Sequence, residues 1–386
     1  MVSEDYVRLG LRLDKHIHGL VDAYYGTKDL QEAIEKEEIV PLPTLRQQAV
    51  DLIQRLPSEV TDPDRQVFLA KQLQALVAQM DRLAGNITDF REYVRLLFDI
   101  DPAPADETEL EGYRQSVAGL LNSIGYTGDL RDAILRWEEA QYLSDKPLLE
   151  FINAIVNESR QKTSRIIDLP SDEKVSIEGV KGQPWSGYNW YKGNYTSLIQ
   201  VNLDIPRTRI EAEDLATHEA YPGHHTDHAV KEKLFYHGLG YLEASIALIN
   251  TPSCVLSEGI ASAAGLFIAT DEKNTDREAA TLLRKLRRGC DVNATLMLHS
   301  EGIGKEKCIV YLEANGLMTR QRAEKRLDFL THPLWSPYSY TYWVGGRLVE
   351  EFYTRAKKVG KVNQALSTLY YQQLTPTGLQ QRMVEL

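Results

Sequence analysis

The chain has 386 residues, 43% of them apolar and 26% charged, with 55 acidic against 44 basic side chains and a formal net charge of −11. That length supplies ample apolar material for a buried core, in one body or in two packed lobes. The acidic balance, without clustered Lys and Arg, excludes a nucleic-acid surface, and no run approaches the roughly 18 uncharged apolar residues of a membrane span.

Met1 to Leu20 carries Glu4, Asp5, Arg8, Arg12, Asp14 and Lys15 and has no apolar core segment, so no secretory signal is expected. Apolar residues at helical spacing (Val7, Leu9, Leu11, Leu13, Ile17, Leu20, Val21) predict a helix over residues 3–25, with Gly26 as its stop. Further amphipathic helices are expected near 28–37, 44–56, 62–84, 88–100, 107–124, 129–143 and 146–167, punctuated by Pro41, Pro43, Pro57, Pro102, Pro104, Gly125 and Gly128. Residues 1–168 therefore read as an all-helical lobe. His16 and His18 lie on different helix faces without a companion carboxylate and read as structural or solvent-facing. Cys254, Cys290 and Cys308 show no paired or C-x-x-C spacing, which points to reduced thiols and a cytoplasmic chain.

Composition changes after Leu169-Pro170. Segments 175–180, 188–191 and 195–203 are rich in β-branched and aromatic residues separated by Gly-containing turns, and they predict a small antiparallel sheet. Pro206 ends it, and Thr208-x-x-Glu211 offers a capping box for a helix that reaches His218. His218, Glu219, His224 and His225 then crowd into eight positions beside Pro222-Gly223, and imidazoles with a carboxylate are the usual composition of a zinc site. In H-E-x-x-H, two His at i and i+4 bind zinc and the Glu is the general base. An unbroken helix would hold His218 and His224 roughly 9 Å apart along its axis and on different faces. Pro222 removes a helical hydrogen bond and clashes with the carbonyl of residue 218, so an interruption is expected here. With Pro222-Gly223 taken as an insertion, His218-Glu219-Ala220-Tyr221-His224 restores the pattern. His225 is the alternative ligand to His224 if the loop is one residue longer.

The segment H-E-x-x-P-G-H-H, followed downstream by Ser257-Glu258-Gly259, resembles the bacterial DUF885 family, a group of zinc metallohydrolases similar to gluzincin peptidases. The likeness runs from about residue 175 to the C-terminus. It departs at Ile260, where the family often has Trp, and many family members are longer and exported. The resemblance implies a mainly α, multi-helical, two-lobed gluzincin-like architecture, with 169–386 as the catalytic region packed against the helical lobe. It also implies Glu258 as the third zinc ligand, and the small residues after it (Gly259, Ala261, Ser262, Ala263, Ala264, Gly265) would let that helix pack closely. A Tyr-x-x-Gly element in the family matches Tyr342, whose hydroxyl, or that of Tyr340, would donate to an oxyanion. His299 and Arg347 are further candidates for that role.

The resulting expectation is a zinc-dependent hydrolase acting on short peptides. His218, His224 and Glu258 hold the metal, Glu219 is the general base, and no nucleic-acid or membrane partner is involved. The strand before the zinc helix is expected to hold an extended peptide by edge pairing. His228 is a candidate supporting residue, His237 a helix-terminal cation, and Cys254 and Asp227 substitute ligands. Two rival readings remain: hydrolysis of a non-peptide amide or ester, and a metal-binding helical protein without turnover.

Overall fold

The computed structural model describes residues 1–183, 185–270 and 273–386. The protein is mainly helical, with short sheets. Four helices of the first half begin where an acidic cap meets the bare amides of the first turn. Asp62 accepts from the amides of Asp64 and Arg65 at the start of Pro63–Leu83, Asp89 caps Phe90–Phe98, Asp106 caps Glu107–Ser123 and Asp129 caps Leu130–Glu139. The helices Lys28–Lys36, Leu42–Glu59 and Asp145–Thr163 complete the set expected from periodicity.

One expectation fails near the N-terminus. The first helix covers only Val2–Asp14, and Val21–Tyr24 is a strand paired antiparallel with Ile246–Leu248. Two local features end the helix early: Gly19 adopts a left-handed φ of 87°, and the Asp14 carboxylate accepts from the amide of Val21 at 2.9 Å. The apolar spacing of Leu20 and Val21 was real, but it serves burial beneath Ile246 and Leu248 rather than a helix face. This strand carries Asp22 into the interior cleft described below.

Packing ties the two halves of the chain together. One core joins the helices of residues 2–80 to Ile246 and Leu248, and a second joins Phe90, Val94, Leu97 and Trp137 to Val255, Leu286, Cys290 and Trp343. A sheet stands where one is expected, ahead of helix Arg209–Glu219, but it is mixed: Thr196–Asn202 lies at its centre, with Gly187–Tyr191 antiparallel on one side and Lys174–Val180 parallel on the other. The centre falls to Thr196–Asn202 because it has the most buried side chains, with Ile199 and Val201 packed on Leu148, Ile152 and Leu215. Gly187–Tyr191 is left as an edge strand facing the cleft.

Helix Arg209–Glu219 starts at a complete capping box of Thr208 and Glu211. The chain breaks over residues 220–223 and resumes as His224–Lys231, which runs on through a π-helical turn, Glu232–Gly238. Helix Pro252–Phe267, bearing Glu258, packs against the turn entering Gly346–Lys358. Its closest approach is at Gly345, where a Cβ would overlap the carbonyl of Val255. Gly345→Ala is therefore expected to lower the unfolding free energy by about 1–3 kcal/mol, because neither backbone can retreat from a packed core. Urea denaturation would check it, the expected result being a lower midpoint with an unchanged slope.

Candidate metal centre

The break after Glu219 decides the geometry. Pro222 supplies no amide to continue the helix, and a Cβ at residue 223 would collide with the carbonyls of Thr217 and His218, so only glycine fits the return. The second helix then starts at His224, whose ring lies across that of His218 with centroids 4.7 Å apart and planes at 88°. Glu258 approaches from the other helix. Its Oε2 lies 3.4 Å from His218 Nε2 and 3.7 Å from His224 Nε2.

These three side chains form a group able to hold one metal ion. Ligand atoms at 2.0–2.1 Å from a tetrahedral ion stand about 3.3 Å apart, so the two nitrogen–oxygen separations are close to the edges of such a site. The chemistry of the donors agrees with the spacing, since two imidazoles and a carboxylate suit zinc. Glu258 Oε2 is buried and finds no donor other than the two imidazoles, which leaves it free for an ion. The other oxygen, Oε1, accepts from the Tyr338 hydroxyl at 3.0 Å, and His224 Nδ1 meets Ser257 Oγ at 3.2 Å. Such outer contacts orient ligands and fix which ring nitrogen faces the metal.

Electrostatics separate the three groups. Burial opposes a charge on His218, but the Glu258 hydrogen bond and the charge of Glu219 outweigh it and raise its pKa above the ordinary histidine value. At His224 burial wins over Glu258 and the pKa falls. Burial would raise Glu258, yet the His218 hydrogen bond and the charges of His224 and His218 hold it below the usual carboxylate range. The lowered pKa values of His224 and Glu258 favour the forms that bind a cation, whereas at His218 a cation competes with a proton.

The group opens onto a cavity of about 220 Å³. Glu219, Tyr338 and Tyr342 share its wall with Gly187, Tyr188 and Asn189 of the edge strand. Asn189 Nδ2 donates to the backbone carbonyl of Glu219 at 2.7 Å and pins strand to helix end. Glu219 is 8% exposed. Burial and Glu258 push the Tyr342 phenol well above its usual pKa, so it is a hydrogen-bond donor, and Arg288 lies over its ring at 5.3 Å.

Not every sequence-selected residue reaches this wall. His225 is fully buried on the opposite side, with Nδ1 at 2.8 Å from Ser197 Oγ and Nε2 at 3.0 Å from Glu173 Oε2. Tyr340 donates to the Pro102 carbonyl, His299 stacks on Phe90 and bonds the Leu330 carbonyl, and Arg347 pairs with Glu109. His16 bonds the carbonyl of Val40. His228 lines the cavity but stacks on Tyr191, and burial pushes it down to about 4. Asp227 pairs with Lys231, His237 with Glu232, and the Cys254 thiol is pushed up to about 11 by burial while bonding the Leu248 carbonyl. Sequence reasoning missed Tyr338, Ser257 and Asp22. Tyr338 stands four residues before Tyr342 in the same aromatic segment and Ser257 adjoins Glu258, so both had a local signal, whereas Asp22 had none.

No protein-family model and no curated protein matches this sequence. Solved structures share the fold. A "putative lipoprotein" from Colwellia psychrerythraea superposes with a TM-score of 0.62 at 17% identity, over 92% of this chain and 65% of that one. This chain therefore spans less than two thirds of that protein's length. A "putative lipoprotein of unknown function" from Shewanella oneidensis gives 0.58 at 13% identity, over 92% and 76%. The expected cytoplasmic assignment is corrected here, because each of these two structural neighbours is described as a "putative lipoprotein". Its basis was also weak physically: Cys290 and Cys308 are buried singly by packing, so their unpaired state carries no information about compartment. Among the described residues, no helix is long and apolar enough to cross a membrane.

The two neighbouring histidines should separate experimentally. His225→Ala strips Glu173 and Ser197 of a buried partner and is expected to lower stability by about 1–3 kcal/mol, while the folded protein keeps its metal uptake. His224→Ala should do the reverse. Denaturation curves beside metal analysis of both variants would check the pair.

Proposed function

We propose that this protein is a zinc-dependent metallohydrolase, and most specifically a peptidase of short peptides. The observation that carries the reading is the convergence of His218, His224 and the buried Glu258 Oε2 on one point of a cavity that Glu219 also lines. The resemblance of H-E-x-x-P-G-H-H to the DUF885 family and to gluzincin peptidases supports it independently of the geometry. His218 Nε2, His224 Nε2 and Glu258 Oε2 would hold the ion. A zinc ion bound there supplies Lewis acidity, which brings the pKa of water toward about 7 and polarises a carbonyl.

The protein's own groups then have separable tasks. Glu219, one residue after a ligand and on the cavity wall, accepts the proton of the attacking water and returns it to the leaving amine. The Tyr342 phenol donates to the developing oxyanion, a contact worth about 3–4 kcal/mol when such donors are deleted. Gly187–Tyr191 offers the free edge to which an extended peptide adds as a further strand. A metal-binding role without turnover suits the site less well, because a purely structural zinc takes four closed protein ligands and has no use for Glu219.

Elemental analysis of the purified protein beside His218→Ala tests the centre. About one zinc per chain, lost in the variant, is expected, and a wild-type protein that takes up no metal when zinc is offered at neutral pH would overturn the reading. Glu219→Gln should retain the metal and lose about 10²–10⁴-fold in kcat on a cleaved peptide. Full activity in that variant would remove Glu219 from the mechanism.

A further inference from the structure

The cleft holds a carboxylate that the mechanism does not use. Asp22 lies on strand Val21–Tyr24, fixed by its pairing with Ile246–Leu248 just ahead of the Glu258 helix. Its side chain lines the same cavity and accepts the hydroxyl of Tyr188 from the edge strand. Among the described residues no cation pairs with it. The other acidic groups of the wall are provided for: Glu243 with Arg65, Asp227 with Lys231, and Glu258 with the two histidines. Only Glu219, already given the role of base, shares the condition of Asp22.

We propose that Asp22, positioned by Tyr188, anchors the protonated amino terminus of a peptide substrate, so that the protein removes residues from the amino end. The proposal rests on the peptidase reading and narrows it.

Three further observations agree. Three buried oxygens of lining residues, Asn189 Oδ1, Gln372 Oε1 and Gln373 Oε1, also lack donors, and an ammonium brings three N–H groups. Lys231 is the sole Lys or Arg among the described lining residues and is held by Asp227 at 2.6 Å, so none of those lining residues offers an unpaired Lys or Arg to a free carboxy terminus. Finally, Asp22 and Glu258 both raise the thiol of Cys254, which stands one helical turn before Glu258 on the same face. Burial and the charge of Glu258 push the Asp22 carboxyl up to about 6, a cost that a bound ammonium would relieve.

The test compares one tripeptide, such as Leu-Ala-Ala, in its free, N-acetylated and C-amidated forms. Hydrolysis by the zinc-loaded protein should fall at least a hundredfold on acetylation and little on amidation, and Asp22→Asn should shrink the free-to-acetylated preference at least tenfold with metal content unchanged. Tyr188→Phe, which keeps the charge but releases its position, should shrink it several-fold and guards against a misfolded Asp22→Asn. Calorimetric binding of the free and acetylated tripeptides to Glu219→Gln reads the anchor without turnover. If nothing is hydrolysed but the free peptide still binds at least tenfold tighter, and loses this with Asp22→Asn, the anchor stands and the hydrolase reading falls. Equal binding or equal hydrolysis of the two forms, absence of binding, or a preference intact in Asp22→Asn would overturn the anchor.

Discussion

Everything at the candidate site depends on a helix that cannot continue. Pro222 has no amide to offer the carbonyl of residue 218, and the backbone at Gly223 turns so tightly against Thr217 and His218 that no side chain fits. The chain therefore restarts its helix at His224 instead of carrying that residue roughly 9 Å onward. Two imidazoles that a regular helix would point apart meet at right angles.

Such a break is stable because buried polar groups surround it. Glu173 accepts from the Tyr221 hydroxyl, pairs with Arg160 and meets His225, while Tyr370 donates to the Pro222 carbonyl at 2.6 Å. The Tyr221 hydroxyl and the Pro222 carbonyl of the turn are thus met from other elements: Glu173 ahead of the sheet, itself paired with Arg160 of helix Asp145–Thr163, and Tyr370 near the C-terminus. A half-satisfied network at this depth would cost more than an apolar core. His225 belongs to this supporting structure, which explains why two adjacent histidines carry unlike tasks.

The cleft itself is built from both halves of the chain. The second half contributes the ligands, the base and the edge strand, and the first contributes Asp22 through a strand that crosses to Ile246–Leu248. Glu258 comes within reach only because its helix lies backbone to backbone against the turn at Gly345. Small residues along that face remove the side chains that would hold the two elements apart. Charge follows the same division, since the wall is acidic and its one lysine is already paired.

Much of this was legible in the sequence because it is local. The capping box of Thr208 and Glu211, the helical periods of residues 28–167 and the Pro-Gly interruption all act over a few residues, and each located its element to within a few positions. The grouping of His218 with His224 also follows from local stereochemistry once the break is recognised. Tertiary structure decided what local signals cannot distinguish. Residues 21–24 have apolar spacing compatible with a helix, but pairing with Ile246–Leu248 makes them a strand. Spacing favoured His224 and left His225 as its alternative, and only the fold shows that Glu173 and Ser197 claim His225. The parallel seat of Lys174–Val180 depends on which strand has the most surface to bury, and Asp22 joins the cleft by a contact with residues more than 160 positions away. Periodicity and capping are properties of a chain segment and its own backbone, whereas partnership across the fold is set by competition for burial, and that competition is settled only when all the elements are in place.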